Sequence, residues 1–372
     1  MTFTYPTPTT INTFYTDADG QLVTPEKLEY GKGYSLVEVQ APYGYVLDST
    51  PVPFDVTEEN STQEGGITLI KVDKPNMAQK GTISVEKTGE VFFGVNVFGE
   101  KDKDVIYQPV YTVKGLAGAV YEITADEDII TPDGTLRYHK GDVVDTVTTD
   151  DEGFAKSKEL YLGKYTVVEI KAPNGMVINN EKHSVELTYA GQDVAVTETV
   201  TSFYNERQKV KISLEKVLEQ NDTFGIGTND EIKNISFGLY AKEDIVSSSG
   251  TVIPAEGLIE IITLDENGTA IANTDLPFGS YYIKEIATDE HYILSDTQYP
   301  FTFEYAGQDT EIVEIKVNDG KPIENKLIYG SVSGKKIDEN GEALGGALIG
   351  IFKADESEFT KEHAIMTATS EK

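Results

Sequence analysis

Lysine, glutamate and asparagine recur in that order along this chain, as Lys87, Glu169 and Asn205 and again as Lys216, Glu285 and Asn325. Asn76, Asn205 and Asn325 each stand eleven residues ahead of a lysine: Lys87, Lys216 and Lys336. Together these residue types can react. An uncharged lysine amine can attack the side-chain amide carbon of asparagine, forming a Lys–Asn isopeptide bond and releasing ammonia. The lysine must first lose its proton, and apolar surroundings favour that by penalising the ammonium. A nearby acid must polarise the amide and shuttle protons, which asks for a carboxyl group that burial keeps protonated. Glu169 and Glu285 are the candidates for that role. Contact among the three groups supplies what a cofactor otherwise would, so none is expected. The alternatives are a buried Lys–Glu ion pair beside a hydrogen-bonded asparagine, or surface residues on strands phased the other way.

Strands must position these groups. Side chains alternate between the faces of a strand, so Ile83 and Val85 share a face with Lys87, and Ile212 and Leu214 share one with Lys216. By the same count Tyr165 and Val167 lie with Glu169, and Tyr281 and Ile283 with Glu285. A lysine and a carboxylate aimed into a core are unfavourable unless they pair or react. A lysine on the first strand, an asparagine on the last and a glutamate on a strand between them would meet. Each crosslink would then tie a domain's first strand to its last and carry tension covalently.

The repeat extends beyond these residues. Tyr34–Glu38 reappears as Tyr165–Glu169 and Tyr281–Glu285, each after an acidic glycine turn ending at Gly20, Gly153 and Gly268. Tyr-Ala-Gly-Gln-Asp occurs at Tyr189–Asp193 and at Tyr305–Asp309. A further shared strand runs through Tyr121, Phe237 and Ile349. Short alternating strands with turn signals and little helical periodicity predict an all-β chain of tandem antiparallel β-sandwiches. The expected units are residues 1–78, the back part of a domain carrying Glu38 and Asn76; 79–207 and 208–327, two complete domains; and 328–372, the front of another, carrying Lys336. On this reading the chain is a piece of a longer array, and Glu38, Asn76 and Lys336 are incomplete sets.

Composition agrees. The 372 residues suit two to four domains, and 39% hydrophobic content allows folded cores. A formal charge of −32 argues against nucleic acid as a partner, because phosphates need basic neutralisation. There is no cysteine to brace the sandwiches, and the four histidines have no metal-ligand spacing. Met1–Phe3 opens into a polar stretch, so no signal peptide is read, and no apolar run predicts membrane insertion.

These motifs resemble the Cna-B/SpaA type domains of Gram-positive surface proteins and pilins. Their glutamate box, roughly Tyr-x-apolar-x-Glu-x-x-Ala-Pro-x-Gly-Tyr, is matched from Tyr34 to Tyr45, and from Tyr165 to Gly175 with Met176 last. The third copy departs, with Thr288, Asp289 and His291 in place of Ala, Pro and Gly. The resemblance implies prealbumin-like Greek-key sandwiches and autocatalytic crosslinks Lys87–Asn205 and Lys216–Asn325. It also implies an extracellular, cell-wall-anchored stalk or adhesin whose partners are neighbouring domains of the same longer chain. Neither a Leu-Pro-x-Thr-Gly sorting signal nor a Tyr-Pro-Lys motif is present, since Tyr5-Pro6 and Tyr299-Pro300 continue with Thr and Phe. A tandem-domain stalk is therefore better supported than a polymerised shaft.

Between Lys87 and Tyr121 the central unit carries extra sequence rich in aromatic and apolar residues, over residues 91–111. It reads either as a hairpin packed on its own sandwich or as a surface binding a host matrix protein or glycan. The Asp-rich glycine turns are explained by turn chemistry rather than by calcium. Nothing points to catalysis on an external substrate.

Overall fold

The computed structural model describes residues 13–24, 27–58, 62–64, 67–99 and 105–371. Tyr5-Pro6 and residues 100–104 of the aromatic insertion lie outside them. The described chain is almost entirely strand and turn. In the N-terminal part, β1 (Gly31–Leu36) and β2 (Val52–Val56) pair antiparallel, with Tyr34 opposite Phe54.

The central module is a two-sheet sandwich. One sheet takes β5 (Val120–Ala125), β6 (Val143–Thr148), β7 (Gly163–Lys171) and β8 (Lys182–Leu187), in the order β6-β5-β7-β8. The facing sheet is built on β3 (Lys80–Phe98), flanked by residues 154–156 and by β9 (Val196–Asn205). Between them Ile83, Val85, Tyr121, Ile123, Tyr165, Val167 and Phe203 make the core. The alternation read from sequence places the inward face of β3, and it carries Lys87 with it.

The next module repeats the plan. Its first strand is β10 (Lys209–Leu218), and the opposite sheet has β11 (Ser236–Ala241), β12 (Leu258–Thr263), β13 (Gly279–Ala287) and β14 (Gln298–Phe303). Its last strands are β15 (Ile312–Lys316) and β16 (Ile323–Asn325), both against β10. Ile212, Leu214, Phe237, Leu239, Tyr281, Ile283 and Ile323 fill this core.

The sandwiches are not wholly antiparallel. In both modules the first and last strands pair parallel: β9 on β3, and β15 and β16 on β10. Parallel neighbours need a long crossover, and here the rest of the module is that crossover.

The aromatic insertion departs from the reading that packs it on its own sandwich. β3 runs on past the sandwich and turns back as β4 (Ile106–Gly115), forming a long hairpin bulged between Phe92 and Gly94. Phe92, Val95 and Tyr107 pack against the core of the following module, not their own. Ile106 also pairs with Leu258, so one nine-stranded sheet runs through both modules. The choice of partner depends on a contact far along the chain, which local pattern does not encode.

Candidate functional site

Lys87 lies on β3 opposite Phe203 of β9, and Asn205 is two residues further on. Lys216 lies opposite Ile323 of β16, with Asn325 again two residues on. A two-residue step preserves the face of a strand, so each asparagine is directed into the same core layer as its lysine. The glutamates come from the facing sheets. Glu169 on β7 pairs across to Tyr121, and Glu285 on β13 pairs across to Phe237.

The three groups meet in both modules. The Lys87 amine donates to Asn205 Oδ1 in a very short contact and stands 3.1 Å from Glu169 Oε1. Asn205 Nδ2 donates to Glu169 Oε2 at 2.9 Å. In the second set Lys216 Nζ is 2.5 Å from Asn325 Oδ1 and 3.4 Å from Glu285 Oε1, and Asn325 Nδ2 donates to Glu285 at 2.7 Å. Both lysines and both glutamates are no more than 2% exposed.

Both lysines lie against aromatic rings, Lys87 against two and Lys216 against one. Lys87 Nζ is 6.0 Å from the centre of the Tyr121 ring and 5.9 Å from that of Phe203, and Lys216 Nζ is 5.8 Å from that of Phe237. Burial pushes both amines below their ordinary pKa, although the adjacent glutamate charges oppose it.

Each carboxylate is fixed from behind by a backbone amide. Asn179 N donates to Glu169 Oε2 at 2.7 Å, Ser295 N to Glu285 Oε2 at 3.0 Å and Asp48 N to Glu38 Oε2 at 3.0 Å. The glutamate-box turn closes alike in all three copies, from Tyr45 N to Pro42 O, Met176 N to Pro173 O and Tyr292 N to Asp289 O. The departures in the third copy therefore leave its turn intact. Asp289 there accepts from Asn234 at 2.7 Å and meets the His291 ring at 2.6 Å. Thr288 adds an acceptor to the site, 2.9 Å from Asn325 Nδ2.

In the N-terminal part Asn76 Nδ2 donates to Glu38 Oε2 at 2.7 Å, and both residues are half-buried. Lys336 is exposed.

The sequence reading overlooked several residues. Gly153 and Gly268 do more than turn the chain: each turn seats the buried lysine's backbone, through Lys87 N to Gly153 O and Lys216 N to Gly268 O, both 2.7 Å. Arg207 carried no sequence signal. It stacks 3.8 Å over the Tyr111 ring, pairs with Asp275 and lies 3.4 Å from Glu90. Gln79 and Gln208 each stand at the same interval ahead of their lysine, a repeat visible in the sequence. Among the described residues no helix is long and apolar enough to cross a membrane.

Comparison with known proteins follows the same plan. The family model for SpaA prealbumin-like fold domains matches residues 2–71, 109–201 and 224–321, which is more than half of the chain. Those segments hold Glu38, Glu169 and Glu285 but stop short of both lysines and both partner asparagines. The trypsin-resistant surface T6 protein of Streptococcus pyogenes serotype M6 is 27% identical over 139 residues, 36% of this chain and 24% of that protein. Among solved structures, the Bacillus anthracis TIE protein is 21% identical with a TM-score of 0.47, over 79% of this chain and 44% of that one. The GBS52 minor pilin of Streptococcus agalactiae is 17% identical with a TM-score of 0.24, over 69% of this chain and all of that one. The chain thus spans less than half the length of the first two of these relatives.

Proposed function

Because the chain belongs to the family of SpaA prealbumin-like fold domains, we propose that it is a stretch of stalk displayed on the cell wall of a Gram-positive bacterium. Its units are residues 1–78, 79–207, 208–327 and 328–372, and its nearest partners are neighbouring domains of the same array. The complete units close their own isopeptide bonds, Lys87–Asn205 and Lys216–Asn325, and so present an adhesive or other tip on a covalently braced support.

The observation that carries this reading is the mutual contact of amine, carboxylate and amide in two cores. Before it can react, Lys87 Nζ passes a proton to Glu169, which leaves a neutral amine and a neutral acid. The amine attacks Asn205 Cγ, and a new C–N bond forms. Glu169, hydrogen-bonded to Nδ2, returns its proton there as the Cγ–Nδ2 bond breaks and ammonia leaves. The nitrogen of the new amide gives its surplus proton back to the Glu169 carboxylate. Glu285 does the same for Lys216 and Asn325. Each glutamate acts once, on its own chain, and the reaction is not enzymatic turnover. The parallel first and last strands pull in shear along a tensed stalk, and a bond between them takes that load off the hydrogen bonds.

Intact mass of the purified chain tests the proposal. A deficit of two ammonia masses is expected, reduced to one in Glu169→Ala and in Glu285→Ala and absent in the double variant. Full mass in a folded chain would leave both sets as buried polar networks.

A second reading is favoured by the hairpin, on which Phe93, Val97 and Phe98 stay exposed. It is an adhesin surface for a host matrix protein or glycan. Retention on matrix proteins or glycan arrays that disappears when all three are changed to Ser would support it.

A further inference from the structure

The two Tyr-Ala-Gly-Gln-Asp loops play no part in the lysine sites, yet each makes the same set of contacts. Gln79 is buried at the first module boundary, and its Nε2 donates to Gly191 O at 2.8 Å and to Val194 O at 2.5 Å. Its Oε1 accepts from Ala190 N at 2.9 Å. Gln208 does the same at the next boundary, with Gly307 O at 3.1 Å, Thr310 O at 2.7 Å and Ala306 N at 2.8 Å. So held, each loop turns its own glutamine onto the glutamate-box turn of the module before it.

Gln192 Oε1 accepts from Ala41 N at 2.8 Å, and its carbonyl accepts from Leu47 N at 2.9 Å. Gln308 Oε1 accepts from Ala172 N at 3.0 Å, and its carbonyl accepts from Ile178 N at 2.9 Å. The loop tyrosines reach the same turns, Tyr189 to Tyr45 O at 3.4 Å and Tyr305 to Met176 O at 3.1 Å. One buried glutamine and one matched loop, with the same contacts at each of the two boundaries, are more than a linker needs.

We propose that the Tyr-Ala-Gly-Gln-Asp loop with its buried glutamine is an inter-module clamp, whose partner is the Ala-Pro-x-Gly turn of the preceding unit. Domains in one chain move relative to each other unless their interface is extensive, and the clamp fixes their orientation. The second boundary is clamped twice. There the hairpin of β3 and β4 adds Phe92, Val95 and Tyr107 against the following core, and Ser248 N and Ser249 N donate to Phe92 O and Phe93 O, both at 3.1 Å. The stalk reading gives the clamp its purpose, but the clamp does not depend on the isopeptide bonds.

The chain has no cysteine, so two can be introduced cleanly for spin labelling of the full chain. Lys32→Cys with Lys140→Cys spans the first boundary, and Lys140→Cys with Glu243→Cys spans the second. Narrow distance distributions are expected across both by double electron–electron resonance. Gln79→Ala with Gln192→Ala roughly doubles the width at the first boundary. Gln208→Ala with Gln308→Ala widens the second much less, until Phe92→Ser and Tyr107→Ser are added. Two single variants separate a lost clamp from a lost fold. Gln192→Glu keeps the acceptor for Ala41 N and stays narrow, whereas Gln79→Glu loses its donor and broadens. Broad distributions in the unaltered chain, no widening in the Gln79 and Gln192 double variant, or equal broadening in Gln192→Glu would each overturn the clamp. Intact mass on the same samples reads the crosslinks separately, so narrow distances with full mass would sink the crosslinks and spare the clamp.

Discussion

Lys87 and Gly153 are fitted backbone to backbone: the amide of Lys87 donates to the Gly153 carbonyl at 2.7 Å, and a Cβ on Gly153 would lie 2.3 Å from the Lys87 carbonyl oxygen. Lys216 and Gly268 repeat the arrangement with the same two distances. Both glycines have positive φ, 86° and 76°. An added side chain would therefore strain the turn and push away the strand segment that carries the amine. Gly153→Ala is expected to cost about 1–3 kcal/mol and to lower the crosslinked fraction in the central module alone. Urea unfolding and intact mass check the two effects separately. An unchanged crosslinked fraction would show that the lysine does not depend on the turn.

Much of this site was legible in the sequence because strand alternation is strictly local. Once Ile83, Val85 and Lys87 are phased together, burial of the first two brings the third inside. The glutamate box was legible because its residues recur in fixed order, and His291 in place of Gly marks a departure that Tyr292 N and Asp289 O nevertheless bridge. The seating of Phe92 and Tyr107 on the next module was not legible. An apolar side chain reports that it will be buried and says nothing about which surface covers it. The parallel pairing of β9 on β3 was hidden for the same reason, since its register joins residues more than a hundred positions apart.

Tyr121 and Phe237 hold equivalent places beside the two glutamates and differ by one hydroxyl. The Tyr121 hydroxyl is buried with Glu169 in reach but no hydrogen bond of good geometry, and burial, then the Glu169 carboxylate beside it, pushes its pKa well up. An unsatisfied buried hydroxyl is a penalty, and the module around Phe237 assembles its lysine site without one. Tyr121→Phe is therefore expected to stabilise the central module by about 1 kcal/mol and to leave the ammonia deficit unchanged. Thermal unfolding with intact mass tests both. A destabilised variant, or one with one ammonia fewer lost, would instead assign the hydroxyl a part in the reaction.

The lowered pKa of Lys87 makes a signed prediction about pH. In Asn205→Ala the amine has no amide to attack and remains titratable, whereas a crosslinked Lys87 has no amine left to titrate. Burial depresses its folded pKa below the ordinary value of 10.5, against the pull of Glu169. Below the folded pKa both native and unfolded chains hold the proton, and the variant bears the full penalty of a buried ammonium. Between the folded and unfolded values the unfolded chain binds more protons, so stability rises with pH there. The buried tyrosines lose stability at high pH in both proteins, so their effect cancels in the comparison. The stability gap between Asn205→Ala and the unaltered chain should therefore narrow as pH rises through that window. Chemical unfolding at a series of pH values measures the gap. A gap that stays flat would mean either that Lys87 is not depressed or that it titrates equally in both chains, and the second case removes the crosslink.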